Sequence, residues 1–246
     1  MMRPGPLVVR LERIIERTYD LDTGIEDIAP FIIGDEGYAR LYAGRPVAQR
    51  VGAATIQREA FSAFAARAHR KAGRSATART LVREDERGLR VCLYYPDRLV
   101  ENLERHDPTR GLDDGNVDDF ATLVEELDHL LVIADRHRAG GEMSLLELEL
   151  HGNVTKELTL QLFIARTRRA LRLDAAGRAW IRHHLFEKSV HVEEDAEVRA
   201  RYRDAALLAV KYLDFLHALP APARPAELRR FHRRTHHEKI AQIGRL

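Results

Sequence analysis

The sequence contains very little cysteine: Cys92 is the only one among 246 residues, which excludes an internal disulfide and is typical of a reducing compartment. It also lacks any run approaching the roughly 18 consecutive apolar residues that a membrane span needs. The start, MMRPGPLVVRLER, reaches charged residues before it can build the apolar region of a signal peptide. We therefore expect a cytoplasmic protein that does not span a membrane.

Several motifs of common enzyme classes are also absent, including a glycine-rich phosphate loop, a G-x-S-x-G nucleophile turn and paired CxxC sequences. The net charge is only +2, which does not indicate a general nucleic-acid binder. Basic residues do accumulate at the end, where Arg224 to Leu246 contain seven Arg or Lys and two Glu. Contact with nucleic acid or an acidic partner is therefore expected only through this tail, at Arg229, Arg230, Arg233 and Arg234.

Hydrophobic periodicity predicts an α+β protein that is predominantly helical, with a small antiparallel sheet wrapped by six to eight helices. Alternation predicts a hairpin of Thr80 to Arg83 and Leu89 to Tyr95. Residues 20–46 contain several glycines and are expected to be rich in loops. We predict one helix-rich domain over residues 1–219, followed by a proline-containing linker and one basic helix over 220–246. The expected helices are Pro6 to Tyr19, Val47 to Lys71, Asp97 to about Arg105, one around Phe120 to Ile133, Leu145 to Leu171, Ala175 to Lys188 and Ala196 to Leu219.

The helix around Phe120 to Ile133 carries the strongest candidate site. Its core-facing arc is apolar, and Glu125, Glu126 and His129 lie on the opposite side within an apolar border. Glu125 and His129 are four residues apart, so both could bind one cation, and Glu126 could hold a water beside it. A hydrogen-bonded Glu/His pair without a metal is an equal alternative.

The following helix offers further ligands. Glu147 and His151 fall within its apolar stripe, where polar groups need partners, whereas Glu149 points away from the stripe and ranks behind Glu147. Glu147 also has a structural explanation, because it completes a capping-box pattern with Ser144. A hydrogen-bonded core histidine is the alternative for His151. Two facing helices of this kind would also suit a carboxylate-bridged pair of metal ions.

The segment EELDH resembles the HExxH motif of zincin metallopeptidases, particularly gluzincins and ImmA-like peptidases. The resemblance covers residues 80–163 and includes the edge strand before the motif and the acidic helix after it. It implies that Glu126 is the general base, that His129 is a metal ligand and that Glu147 or Glu149 supplies a third ligand. Glu125 replaces the first zinc-binding histidine of the family.

The resemblance implies a metal-dependent hydrolase, specifically a peptidase acting on a peptide or protein. The expected cofactor is a divalent metal, Zn²⁺ or, because Glu125 makes the site richer in oxygen, Mn²⁺ or Fe²⁺. The alternative is a non-enzymatic interaction or regulatory protein that keeps a degenerate zincin core and binds its partner through the basic tail.

Overall fold

The structure is a computed structural model and describes residues 5–42, 49–50, 78–85, 88–188 and 195–246. Of the predicted helix from Val47 to Lys71, only Gln49 and Arg50 are described, and they form a strand, so the helix prediction is wrong at these two positions. The rest of that prediction lies outside the described residues. Elsewhere the prediction of a predominantly helical α+β protein is confirmed. The helices are α1 (Pro6–Tyr19), α2 (Asp35–Tyr42), α3 (Asp97–Arg105), α4 (Val117–Arg138), α5 (Leu145–Thr167), α6 (Ala175–Arg182), α7 (Ala196–Ala218), α8 (Arg224–Arg233) and α9 (His236–Gly244).

The described strands form one small sheet, in which the last strand pairs with each of the others. They are β1 (Ile32–Ile33), β2 (Gln49–Arg50), β3 (Arg79–Asp85) and β4 (Gly88–Tyr94). β3 and β4 make the predicted antiparallel hairpin, with Thr80 opposite Leu93. β2 is also antiparallel to β4, but β1 pairs with it in parallel, so the prediction of a purely antiparallel sheet is wrong. The chain between β1 and β4 is long enough to allow a parallel crossover.

Three differences from the sequence prediction concern helices. The described residues contain nine α-helices, more than the six to eight expected. α2 forms inside the region expected to be loops. Within it Gly37 packs closely against Ile33, since a Cβ at that position would lie 2.8 Å from the Cβ of Ile33. The basic tail forms two helices instead of one, because Thr235 and Glu238 make a reciprocal capping box that starts α9.

The described chain divides into two compact units. Unit 1 comprises Met1–Arg98 and Glu126–Leu145, and unit 2 comprises Leu99–Glu125 and Leu146–Leu246. α8 and α9 belong to unit 2, and the domain boundary expected at residue 219 stays a prediction. No helix within the described ranges combines the length and apolar character needed to cross a bilayer.

Unit 1 contains the sheet and α1. Pro6 occupies the first turn of α1, where its missing N–H leaves no helical hydrogen bond unmade. Leu11, Ile15 and Tyr19 recur on one face of the helix and are buried, as their spacing predicts.

In unit 2, α5 is buried on every side from Glu147 to Glu157. A helix buried all round is usually apolar, but this one carries several ionisable side chains, each of which needs a partner inside the protein.

Candidate metal centre

Helix α4 places the predicted site residues in a largely buried setting. The apolar arc that includes Phe120, Leu127 and Leu131 is buried, as predicted. His129 is also buried, whereas Glu125 and Glu126 are only partly exposed. The side of the helix that carries the acidic and imidazole groups is therefore not an ordinary solvated face.

Three side chains come together in a cluster that could hold a metal ion. Glu125, His129 and Glu149 each offer one ligand atom, and these three atoms lie within 4.8 Å of one another. One helical turn of the uninterrupted α4 separates Glu125 from His129, so their side chains share a face. Glu149 comes from α5 and is buried. The structure thus brings in Glu149 and not Glu147, which the sequence ranked first.

A lysine completes this cluster and was not anticipated from the sequence. The Nζ atom of Lys156 lies 2.8 Å from Oε1 of Glu125, and the lysine side chain is only 11% exposed. Lys156 follows Glu149 by seven residues, which is about two helical turns, so both project from the same face of α5. That spacing, in a chain with few lysines, is the signal that could have identified it.

Glu126, the predicted general base, is held by the sheet of unit 1. The hydroxyl of Thr80 in β3 donates a hydrogen bond of 2.7 Å to Oε2 of Glu126. The same carboxylate oxygen lies 3.8 Å from Nδ1 of His129. Burial raises the pKa of Tyr95 well above its ordinary value, and the negative charge of Glu126 adds to that effect. The side chain of Glu126 is thus fixed beside His129 by a hydroxyl donor.

The other two predicted ligands lie in different surroundings. Glu147 forms a buried ion pair with Lys239 of α9. The Nε2 atom of His151 lies 3.3 Å from Nδ1 of His232 in α8. The Nδ1 atom of His151 lies 3.5 Å from the hydroxyl of Thr155. Neither residue joins the cluster of Glu125, His129 and Glu149. The arrangement therefore does not support the carboxylate-bridged pair of metal ions that two facing helices suggested.

The predicted basic surface of the tail is partly engaged within the protein. Arg230 and Arg234 both donate to the buried carboxylate of Glu227, at 2.8 and 2.9 Å. Burial alone would raise the pKa of Glu227, but hydrogen bonds from Gln242 and these two arginines lower it below its ordinary value. Arg229 and Arg233 are exposed. Arg230 is exposed as well, whereas the side chain of Arg234 is only 27% exposed, so Arg234 is the least accessible of the four predicted contact residues.

Comparison with known proteins adds no assignment. No protein family, characterised protein or solved structure matches the chain. The resemblance to zincins therefore rests on the residues of EELDH and of the acidic helix alone.

The donor set itself is suited to a divalent metal. Two carboxylates and one imidazole are ligands that Zn²⁺, Mn²⁺ and Fe²⁺ all accept. The burial of His129 and Glu149 would exclude most water from such an ion. The Lys156 ammonium already compensates part of the negative charge of the cluster, so an ion would have to share Glu125 with it or replace it.

Proposed function

We propose that the protein is a metal-dependent hydrolase of zincin-like type, acting on peptide bonds. The observation that carries the proposal is the convergence of Glu125, His129 and Glu149, with Glu126 fixed next to His129. The EELDH motif and its acidic helix predict such an arrangement: two ligands from one helix turn, a carboxylate from the following helix and a neighbouring glutamate.

Each residue has a distinct role in this proposal. Glu125, His129 and Glu149 would hold the ion, which when bound supplies Lewis acidity toward a carbonyl oxygen and toward water. Glu126 accepts a proton from the attacking water and later donates it to the leaving amine. The Thr80 hydroxyl orients the Glu126 carboxylate through Oε2 and leaves its second oxygen available for that proton.

The proposal is tested with Glu126→Gln in the full chain, purified without a histidine tag. We expect this variant to keep about one metal ion per chain and to lose hydrolysis of a casein or mixed-peptide substrate by about two orders of magnitude or more. Glu101→Gln, at an exposed position of α3, is the matched control and should retain activity. A fully active Glu126→Gln variant would refute the role of Glu126. Absence of metal from both the wild type and a metal-reconstituted sample would refute the metal centre.

A second candidate function follows from the ion pair between Lys156 and Glu125. That pair gives the cluster a cation of its own, which suits a non-enzymatic protein retaining a zincin-like scaffold for interaction. In that case His129→Ala would change stability only, and partner binding would depend on the exposed arginines of the tail, such as Arg229 and Arg233. Charge reversal of these two is a cleaner test than deletion of the tail, because deletion would also remove the buried Phe231 and Lys239.

A further inference from the structure

The charges of the candidate metal centre are partly balanced before any metal binds. Glu125 and Glu149 present carboxylate oxygens within 4.8 Å of one another, and like charges at that distance repel. Lys156 counters this repulsion through its 2.8 Å contact with Glu125. A divalent ion would bind to the same carboxylate.

Lys156 can release Glu125 without rearrangement of the helices. Its ammonium is a point charge at the end of a flexible four-carbon chain, so rotation of the side chain alone can withdraw it. The main chain of α5 around Lys156 can stay in place, because neighbouring Glu157 is held by its own contact of 3.0 Å to His217. An exchange between lysine and metal is therefore a local event at one carboxylate.

We propose that Lys156 competes with the metal ion for Glu125 and so sets the metal concentration at which the site fills. The inference rests on the proposed function, because it assumes that Glu125, His129 and Glu149 are the ligands. In the metal-free protein Lys156 stabilises the two carboxylates, so the chain folds without metal. In the metal-bound protein its ammonium has left Glu125 and lies nearer to solvent.

The test is titration calorimetry of the metal-depleted full chain with Zn²⁺ and with Mn²⁺. We expect Lys156→Met to bind at least about tenfold more tightly than the wild type, because one competing positive charge is gone. Lys156→Arg keeps the charge and should show no such gain. Lys188→Met removes a lysine from a surface ion pair with Asp118 and should bind like the wild type.

A second measurement needs no variant and covers the case in which Lys156→Met fails to fold. Labelling of the wild type with an amine-reactive reagent, read by mass spectrometry, should modify Lys156 slowly without metal and several-fold faster at saturating metal. Lys188, 45% exposed, is the internal standard and should not respond. Unchanged labelling of Lys156 at saturating metal would overturn the inference.

The two proposals fail in different ways. If the wild type and Lys156→Met bind metal equally and His129→Ala abolishes binding, the competition is refuted and the metal centre stands. If a folded Lys156→Met variant binds neither ion, the metal centre is refuted and the competition with it. If only Lys156→Met binds metal, the competition between lysine and metal is supported, whereas the proposed metal-dependent activity of the wild type is refuted.

Discussion

The ion pair between Lys239 and Glu147 gives the sharpest stability prediction. Both side chains are only 2% exposed, and the pair joins α9 to the first turn of α5. Lys239→Met would leave the Glu147 carboxylate buried without its main cation. Breaking such a pair costs about 3 to 5 kcal/mol. In the wild type, burial lowers the pKa of His236 below its ordinary value despite the nearby Glu147, and Lys239 and His237 add to that effect.

Replacing both partners should cost far less than replacing one. In Lys239→Met with Glu147→Met no charge is left buried, and two apolar chains of similar length fill the space, so we expect stability within about 1 kcal/mol of the wild type. About 0.5 kcal/mol of loss is expected from removing an acidic residue in the first turn of α5. The exposed pair Lys188–Asp118 is the control, and Lys188→Met should cost less than about 1 kcal/mol.

Urea denaturation followed by tryptophan fluorescence is a suitable assay. Trp180 is the only tryptophan and belongs to unit 2, as do Lys239 and Glu147, so its emission reports on the unit that contains the pair. A cost below about 1 kcal/mol for Lys239→Met at pH 7.5 would refute the reasoning, since Glu147 would then have to be hydrated or neutral. A double variant as unstable as the single variant would show that geometry, and not charge, is responsible.

Two further predictions concern unit 1. Burial, with repulsion from Glu16, raises the pKa of Glu12 to about 7. Between pH 4.5 and 7 the folded state therefore binds more protons than the unfolded state, and the free energy of unfolding falls as pH rises through that range. Glu12→Gln should therefore stabilise unit 1 by about 1 to 2 kcal/mol at pH 8 and have little effect at pH 4.5; equal shifts in thermal midpoint at both pH values would contradict this. Burial also raises the pKa of Cys92 to about 12, so the thiol should react with Ellman's reagent at pH 8 only after denaturant is added. Stoichiometric labelling within minutes in native buffer would show that the thiol is accessible.

The sequence predicted local structure well where one face of an element is apolar. The bounds of α1 and α3 agree with the predicted ones, because their hydrophobic spacing and their first residues mark where each helix begins. α2 was missed, since Gly37 is a residue that ordinarily interrupts helices. Its close packing against Ile33 depends on the fold and cannot be read from the local sequence.

The candidate site was predicted in part. Glu125 and His129 share a face by helical spacing alone, so their pairing needed no tertiary information. Glu149 was ranked too low because the helical wheel assumed one buried face, whereas α5 is buried all round at that position. A residue opposite the apolar stripe therefore also lies inside the protein.

The partners of Glu147 and His151 could not be predicted. Lys239 and His232 lie more than 80 residues further along the chain, and their meeting depends on how α8 and α9 pack in unit 2. Sequence spacing identifies a polar group that needs a partner, but it does not identify a partner so distant.

The burial of α5 on every side determines the position and rotation of the helix. Its ionisable side chains meet different neighbours in different directions: Glu147 binds Lys239, His151 lies against His232, Lys156 binds Glu125 and Glu157 contacts His217. An apolar helix can slide or rotate among similar packings at small cost. A shift of α5 by one residue would break all four contacts together, so the helix has one axial position and one rotation. These four contacts, none of which involves Glu149, thereby fix the position of Glu149 beside Glu125 and His129.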